Sequence, residues 1–349
     1  MKPIQLGKCL IVLLLLSSCT KQFTADEAMI TKKTPDDSVI LPAFVDYGIW
    51  TLRDYHSPQY GRAQCSFVIN EKAYIFGWGD LAHTNQLWEY DDNTITWVKK
   101  ADFPGPGRVM PMAFAIGSKG YIACGANTYG GPFFYNDVWE YNVATNQWTQ
   151  KNDFPGSIRH NGVGFAINGK GYIGLGGILP TCKKDLWEYN PISDSWTQKT
   201  SLPGNKRVGA FSFVLNDKAY VGGGFYYDQT ASPAVYTYLK DFWQYNPATD
   251  SWQQKSDYLG GRVSEAAAFS LSNGLGFVGT GYDNATQSNT KNFYRYDPSG
   301  DYWFQLDDYG GYARQSAVGF SLNGFGFIGF GETTSGSGET ALWRWKSLE

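Results

Sequence analysis

The sequence predicts an all-β protein in which six copies of one unit close into a ring. The main observation is a segment of about 48 residues that recurs along the chain. Its aromatic core appears as Trp88-Glu89-Tyr90, Trp139-Glu140-Tyr141, Trp187-Glu188-Tyr189, Trp243-Gln244-Tyr245, Tyr294-Arg295-Tyr296 and Trp343-Arg344-Trp345. A second tryptophan follows the core in the first five copies, at Trp97, Trp148, Trp196, Trp252 and Trp303. Repeats of this length are typical of solenoids and of ring-shaped repeat proteins.

The two ends of the repeat array complement each other. The sixth copy stops soon after Trp345 and lacks its second tryptophan. Near the other end, Trp50-Thr51-Leu52-Arg53 is similar to Trp148-Thr149-Gln150-Lys151. Complementary halves have no purpose in a linear solenoid, whereas a ring can join them. We therefore expect the segment around Trp50 to supply the last strand of the sixth unit.

Each unit is predicted to contain four short strands. The first is apolar with small residues, as in Gly162–Ile167, and the second ends in glycines, as in Tyr172–Gly177. Turns rich in Asn, Gly, Asp, Pro and Ser separate the strands, which indicates an antiparallel meander. Glycine is expected where the inner strands of neighbouring units crowd together, because a Cβ atom would collide there.

The repeat resembles the Kelch motif across roughly residues 47–349. The resemblance rests on the glycine pair after the second strand, the aromatic residue that follows, and the tryptophan of the fourth strand. It implies a six-bladed β-propeller over residues 42–349, closed by an N-terminal strand that completes the last blade. Two copies vary the glycine pair, as Gly77-Trp78-Gly79 and Cys124-Gly125-Ala126. A propeller of this length is a single domain.

The N-terminal residues are predicted to target and tether the protein. Lys2 and Lys8 precede a short apolar run that ends in Leu16-Ser17-Ser18-Cys19. This tetrad resembles the bacterial lipobox, which implies a signal peptide over residues 1–18 and a lipid-modified Cys19. The polar residues 19–41 are predicted to form a flexible tether. We expect an outer-membrane lipoprotein of the cell envelope, and its side of that membrane stays open.

Charge and cysteine content exclude several classes of partner. The net charge of −3 and the lack of a basic patch argue against nucleic acid. Cys65 and Cys124 are expected to fill space on inner strands, and Cys182 is expected to be exposed in a loop. Because no cysteine spacing resembles a zinc site, we expect neither a metal nor a cofactor.

Alternate loops of a meander lie on one face, so the segments that enter the first strands and those that join the second and third strands should share a rim. An arginine begins each first strand, at Arg62, Arg108, Arg159, Arg207, Arg262 and Arg314. One hypothesis is a ring of guanidinium groups that binds carboxylates at the channel mouth. The alternative is a structural role, with each arginine paired to a preceding acid, as in Asp102, Asp153 and Asp257.

Differences between the units point to further candidate residues on the rim. Glu265 is the only acid just after the arginine register, and it is a candidate catalytic acid or base. His160 occupies a neighbouring position in the third unit. The loops of the second and fourth units contain Phe133, Phe134, Tyr226 and Tyr227. These aromatic residues either stack against a sugar or peptide or cover the rim by packing on one another.

Two enzyme families with this fold provide a comparison. Galactose oxidase uses a copper site with two histidines, two tyrosines and a Cys–Tyr crosslink, and His56, His83 and His160 do not reproduce it. Kelch-type sialate epimerases use a glutamate and a nearby arginine in one loop. Here only Gly331-Glu332 is similar, and no arginine follows in that loop.

The sequence therefore favours a non-catalytic, membrane-tethered binding module over an enzyme. Its expected partners are a carbohydrate, an acidic peptide or an envelope protein, bound on the rim. The alternative is a sugar-acid isomerase or epimerase-like enzyme that uses Glu265 and the arginine ring.

Replacing the lipobox cysteine tests the predicted anchor. Cys19→Ala should move the protein from the membrane fraction to the soluble periplasm, because buried acyl chains contribute about 0.8 kcal/mol per CH₂ to membrane binding. Fractionation followed by immunoblotting measures the shift, with Cys182→Ala as a control that should stay in the membrane fraction. Unchanged membrane association of the Cys19 variant would refute the anchor.

Overall fold

The computed structural model describes residues 48–55, 57, 64–77, 85–127, 133–336 and 338–347. Within these ranges the regular elements are strands joined by turns, and none is a helix. The predicted all-β class is therefore confirmed. No described segment forms a helix long and apolar enough to cross a membrane. Residues 1–47, which include the predicted signal and Cys19, lie outside the described residues.

The described strands form six four-stranded antiparallel sheets, one for each copy of the repeat. Sheet 1 contains Cys65–Ile69, Lys72–Phe76, Leu87–Asp91 and Thr96–Lys99. Sheet 2 contains Met112–Ile116, Lys119–Ala123, Val138–Asn142 and Gln147–Lys151. Sheet 3 contains Val163–Ile167, Lys170–Gly174, Leu186–Asn190 and Ser195–Lys199.

The remaining three sheets follow the same plan. Sheet 4 contains Phe211–Leu215, Lys218–Gly222, Phe242–Asn246 and Ser251–Lys255. Sheet 5 contains Ala267–Ser270, Gly276–Gly279, Phe293–Asp297 and Tyr302–Leu306. Sheet 6 contains Val318–Leu322, Phe325–Gly329, Leu342–Lys346 and, from the start of the described chain, Ile49–Asp54.

The strand Ile49–Asp54 pairs antiparallel with Leu342–Lys346, so that Trp50 lies opposite Trp345. The ring of Trp50 packs against aromatic residues of the neighbouring sheet 5 and of the loop that follows it. Its centroid lies 5.0 Å from that of Phe293 and 5.0 Å from that of Tyr309. Residues from both ends of the chain thus build one sheet.

Four sheets have additional short strands, which lie between the second and third strands or just before the first strand. They are Gly177–Ile178 with Thr181–Cys182, Phe225–Asp228 with Val235–Tyr238, Val263–Ser264 with Tyr282–Asp283 and Ser288–Asn289, and Arg314–Gln315 with Glu332–Thr333.

The prediction that Cys182 is exposed is wrong, because this side chain is buried where its short strand pairs with Gly177. Cys65 and Cys124 are buried as expected.

The first strand of each sheet contacts the first strand of the next. The contacts run in order from sheet 1 to sheet 6, and Val318–Leu322 of sheet 6 also contacts Cys65–Ile69 of sheet 1. Small residues make this approach possible. A Cβ atom on Gly164 would lie 2.7 Å from the carbonyl oxygen of Ala113 on the preceding sheet, closer than such atoms approach. The glycines of the inner strands therefore allow neighbouring sheets to pack closely, as the sequence predicted.

Aromatic rings fill the space between successive sheets. In each sheet an aromatic ring of the first strand stacks on one of the second, in the pairs Phe67–Tyr74, Phe114–Tyr121, Phe165–Tyr172, Phe213–Tyr220, Phe269–Phe277 and Phe320–Phe327. The first ring of a pair also covers a small residue on the next sheet: Phe67 lies over Gly120, and Phe114 over Gly171. One ring thus contributes to two interfaces, which is efficient burial for a side chain of this size.

The pairing of Ile49–Asp54 can be tested through its tryptophan. Trp50→Ala should lower the free energy of unfolding by about 3 kcal/mol, because it removes a large, mostly enclosed ring between Phe293 and Tyr309. Chemical denaturation measures the loss, and Thr51→Ala, an exposed position on the same strand, is the control expected to change little. Deleting residues 48–54 should go further and cause aggregation, because it leaves the edge of Leu342–Lys346 unpaired. A deletion variant that melts at the wild-type temperature would contradict this role.

Candidate functional site

The segment before each first strand pairs with the loop that follows the second strand of the same sheet. Backbone bridges join His160 to Gly177 and Val208 to Phe225, and the short strand Arg314–Gln315 pairs with Glu332–Thr333. We call the face formed by these two sets of segments the rim. The sequence analysis predicted this shared face, because alternate loops of an antiparallel meander lie on the same side.

The arginine of sheet 3 is buried and fully engaged within the protein. Nη1 and Nη2 of Arg159 donate to Oδ1 and Oδ2 of Asp185 at 2.6 and 2.8 Å. Nη1 also donates to the carbonyl of Leu175 at 2.9 Å, and Nε to that of Ser157 at 3.0 Å. The guanidinium lies 4.8 Å from the ring centroid of Phe154. A paired, hydrogen-bonded and stacked guanidinium is what a buried cation requires.

Two further arginines repeat this arrangement, with Arg108 bound to Asp137 and Arg207 bound to Asp241. The side chains of Arg108, Arg159 and Arg207 have almost no exposed surface. They match the structural alternative, although the partners differ from those expected, Asp102, Asp153 and Asp257. The actual partner begins the third strand of the same sheet, and Asp153 is exposed to solvent.

The other three arginines differ from this group. Arg62 lies outside the described residues. Arg262 is exposed, because it stands one residue before the register of the other arginines, and Val263 takes the buried position instead. The expectation of one register for all six is therefore corrected. Arg314 is buried like the first group, but it faces Ala341 where the others have an aspartate.

Two residues beyond the arginine register, five residues form most of a ring at the mouth of the central channel. Met110, Asn161, Gly209, Glu265 and Ser316 all have positive φ angles, between 51° and 67°. The backbone N–H of each of the last four donates to the carbonyl of the one before it, at 2.8 to 3.0 Å. This chain of bonds links sheets 2 to 6 and turns the five side chains toward a common space, which we call the mouth.

The mouth encloses a cavity of about 160 Å³, lined by these five residues and by Gln64 of sheet 1. Glu265 reaches across it: Oε1 accepts a hydrogen bond from Nδ2 of Asn161 at 3.0 Å, and Oε2 accepts one from Oγ of Ser316. Ala, Gly and Ser residues of the first strands line a further space of about 180 Å³ along the channel. The structure therefore brings Glu265 to the channel, as its sequence position suggested.

His160 lies beside the mouth and is mostly enclosed. Its ring stacks on Phe134, with centroids 5.4 Å apart, and Nδ1 lies 3.4 Å from Sδ of Met110. Burial lowers the pKa of His160, so the neutral imidazole is favoured near neutral pH. Phe133, next in the chain to Phe134, is 63% exposed. Of this pair, Phe134 packs on the rim and Phe133 faces solvent.

Tyr226 and Tyr227 lie on the projecting hairpin of sheet 4, both half-buried. The ring of Tyr227 lies 5.0 Å from that of Tyr236 on the opposite strand. Further in, Tyr238 contacts Tyr282 of sheet 5, with ring centroids 5.7 Å apart. Burial raises the pKa of Tyr238 to about 12, with further contributions from Tyr282 and from the Glu265 carboxylate. Tyr238 and Tyr282 thus connect the aromatic hairpin to the mouth, a role that sequence reasoning missed.

Exposed apolar side chains gather on the rim. The rim contains Tyr55, Phe133, Ile158, Leu179, Val235, Tyr236, Leu259 and Tyr312, each more than a third exposed. On the opposite face, Ile95 and Ile192 occupy turns between the third and fourth strands, and Ile49 and Val98 are exposed on the outer strands of sheets 6 and 1. Such clustering on one face is typical of an interaction surface. The sequence did not reveal this grouping of exposed apolar side chains, because the residues are far apart in the chain.

Comparison with known proteins supports the resemblance to Kelch repeats and the all-β fold of antiparallel four-stranded sheets. Residues 45–206 match the family model described as the KLHDC2/KLHL20/DRC7 Kelch-repeats domain. The solved structure titled "Structure of YjhT" is similar over 82% of this chain and 95% of its own, with a TM-score of 0.69 and 17% sequence identity. At that identity the likeness extends to the fold alone. No curated protein matches the chain. The family-model match thus covers somewhat less than half of the chain, and the structural match extends the likeness in fold to most of it.

The described residues show no cluster of His, Cys, Asp or Glu that could hold a metal ion. Glu332, which resembles the glutamate of the sialate epimerases, pairs with Gln315 on the rim. Its loop contains no arginine. Glu265 accepts hydrogen bonds from Asn161 and Ser316.

The Arg159–Asp185 pair gives a prediction about stability. Asp185→Ala should lower the free energy of unfolding by about 2–4 kcal/mol, because it leaves a buried guanidinium without its counter-ion. Asp153→Ala, which removes the exposed acid expected from the sequence, should cost less than about 0.5 kcal/mol. Denaturant titration of both variants decides between the two pairings, and equal effects would contradict the assignment.

The same pair also predicts a dependence on pH. Burial alone would raise the pKa of Asp185, but the hydrogen bonds and charge of Arg159 outweigh it, so the pKa lies below its usual value. A carboxyl group whose folded pKa is depressed stabilises the protein above its unfolded value, about 3.9, and loses that effect as the pH falls through the folded value. The free energy of unfolding should therefore fall less between pH 5 and pH 2 in Asp185→Asn than in the wild type, by about 1–2 kcal/mol. Denaturant titration at the two pH values measures this difference.

Proposed function

We propose that this protein is a non-catalytic binding module whose rim captures a polypeptide segment of a partner protein in the cell envelope. The observation that carries the proposal is the set of exposed apolar residues on the rim, which surrounds a mouth with one carboxylate. An apolar surface with a polar centre suits a peptide better than a small polar solute, because each apolar contact adds affinity through burial.

The proposed architecture is a closed six-bladed propeller over residues 42–349. The cyclic contacts of the six inner strands and the pairing of Ile49–Asp54 with Leu342–Lys346 support it. Pairing with Ile49–Asp54 covers the edge of Leu342–Lys346, and a closed ring holds the rim segments in fixed positions. A preformed surface of this kind favours binding, since little conformational entropy is lost.

The proposed ligand carries a basic side chain for the mouth. The cavity of about 160 Å³ holds one side-chain end group, and the Glu265 carboxylate lies within it. The rings of Tyr238, Tyr282 and Phe134 stand nearby, and aromatic faces attract cations. This replaces the acidic ligand expected from an exposed arginine ring, because the guanidinium groups of Arg108, Arg159, Arg207 and Arg314 are buried.

The proposed tether is a lipid on Cys19, followed by the polar residues 19–41. The lipobox-like tetrad Leu16-Ser17-Ser18-Cys19 supports the proposal. A tether of roughly twenty flexible residues would let the rim search for partners within about 25 Å of the membrane anchor. The proposed location is the outer membrane, on either side.

A peptide array tests the ligand class. The unlipidated Cys19→Ala protein should bind immobilised peptides in which lysine or arginine is flanked by aromatic or aliphatic residues, in preference to acidic peptides. Glu265→Gln should weaken this binding about 10-fold or more, because the charge partner of the basic side chain is lost. Tyr236→Ser should weaken binding as well, through lost apolar contact.

The control is Ile192→Ser, which removes an equally exposed apolar side chain from the opposite face. It should leave binding unchanged. A preference for acidic peptides, or equal losses in Tyr236→Ser and Ile192→Ser, would refute the proposed site. Binding confined to a glycan array would show that the rim recognises carbohydrate instead.

A further inference from the structure

Three sheets share a polar cluster on the rim, composed of an arginine, a tryptophan and an aspartate. In sheet 4, Oδ2 of Asp241 accepts hydrogen bonds from Nη2 of Arg207 at 2.6 Å and from Nε1 of Trp243 at 2.6 Å. A Cβ atom placed on Gly204 would lie 2.8 Å from that oxygen and 2.9 Å from each of the two nitrogens. One carboxylate oxygen thus satisfies two N–H donors beside a glycine.

Sheet 6 keeps the two donors and lacks the carboxylate. The residue equivalent to Asp241 is Ala341, two residues before Trp343 as Asp241 is two before Trp243. A Cβ atom placed on Gly311 would lie 2.9 Å from Nη2 of Arg314 and 2.9 Å from Nε1 of Trp343. The two nitrogens therefore converge beside Gly311 as their counterparts do beside Gly204.

Arg314 is otherwise held as firmly as the other buried arginines. Nη1 donates to the carbonyl of Phe330 at 2.7 Å, Nε donates to that of Tyr312 at 3.0 Å, and the guanidinium lies 5.0 Å from the ring centroid of Tyr309. Its side chain has no exposed surface, yet Nη2 has no hydrogen-bond partner. A buried cationic donor without an acceptor is strongly unfavourable, so an acceptor at this position would stabilise the fold.

The other sheets avoid this mismatch. In sheet 5 the arginine and the aspartate are both replaced, by Val263 and Asn292. In sheet 1, Gln86 stands at the aspartate position, and its Oε1 accepts a hydrogen bond from Nε1 of Trp88 at 3.0 Å. Among the described sheets, sheet 6 alone combines the buried arginine with a residue that cannot accept a hydrogen bond.

We propose that sheet 6 binds a small monoanion, such as chloride or a short carboxylate, between Arg314 and Trp343. The anion takes the place that the aspartate carboxylate occupies in sheets 2, 3 and 4. It accepts N–H bonds from Nη2 of Arg314 and from Nε1 of Trp343, and its charge balances the buried guanidinium. A planar carboxylate such as formate matches the geometry of the replaced side chain, and chloride matches its charge.

The equivalent position lies close to the surface in three other sheets. The aspartate side chains that occupy it in sheets 2, 3 and 4 are 18%, 20% and 22% exposed. The nearest acidic residue of the same loop is Glu339, which precedes Ala341 by two. Its backbone N–H donates to the carbonyl of Gly331, and no ion pair joins its carboxylate to Arg314 among the described residues.

Thermal unfolding in matched salts tests the site. Sodium formate and sodium chloride should raise the Tm of the wild-type protein relative to sodium gluconate at equal ionic strength, because an anion that binds only the folded state stabilises it by mass action. A shift of about 1–3 °C is expected at anion concentrations ten or more times the Kd. Equal melting curves in all three salts would refute the site.

Two substitutions locate the effect. Ala341→Asp supplies the missing carboxylate, so it should raise the Tm in gluconate and abolish the response to formate and chloride. Asp185→Ala removes the carboxylate from sheet 3, so it should increase the response to both anions. Ala341→Asn, which offers a neutral acceptor of similar size, guards against failure of the aspartate variant to fold, and it should reduce the response.

Two outcomes would overturn the proposal. One is an Ala341→Asp variant that folds and still responds to formate and chloride as the wild type does. The other is a Glu339→Gln variant that loses stability and gains an anion response, since that would mean that the Glu339 carboxylate already serves Arg314 in solution.

Discussion

The rest of the structure depends on a backbone hydrogen bond between successive sheets. The glycine that follows the second strand donates its N–H to the carbonyl at the arginine position of the next sheet: Gly125 to Arg159, Gly176 to Arg207, Gly224 to Val263 and Gly281 to Arg314, at 2.7 to 2.9 Å. The donor glycines have φ between 71° and 100°, a region that side chains with a Cβ atom rarely adopt. The bond fixes where each rim segment turns, and so it decides which side chains enter the core and which reach the mouth.

That bond also explains why the arginine is buried. Its carbonyl is tied to the preceding sheet, so the side chain points back into its own sheet, toward the aspartate that begins the third strand. Paired and stacked in this way, the guanidinium holds the rim segment against its own sheet without exposing charge. Where a sheet departs from the pattern, as with Val263 in sheet 5 and Ala341 in sheet 6, the change is confined to one position on the rim. The repeated pair is therefore a support on which individual differences can be placed.

The mouth shows how a symmetric scaffold produces an asymmetric site. The five positions from Met110 to Ser316 share one backbone conformation and one chain of hydrogen bonds. Their side chains differ completely: a thioether, an amide, a hydrogen, a carboxylate and a hydroxyl. Glu265 accepts hydrogen bonds from sheets 3 and 6, on two sides of its own sheet. Function is therefore expected to lie in the differences between copies, and the shared residues maintain the geometry.

The sequence by itself determined the all-β class, the repeat, the four strands of each unit and the candidate strand around Trp50, because these follow from local periodicity and from turn residues. It also marked Glu265 as a candidate residue of the rim, since a single acid in a repeated register can be recognised by comparing the copies. It could not decide the role of the arginines, because Asp185 lies 26 residues from Arg159 and only the folded sheet brings them together. Arg262 likewise stands one residue before the register, where Val263 is buried, and a repeat alignment by residue type concealed this difference. The apolar rim, the contact of Tyr238 with Tyr282 and the convergence of Arg314 and Trp343 arise between residues that are distant in the chain, so tertiary structure alone decided them.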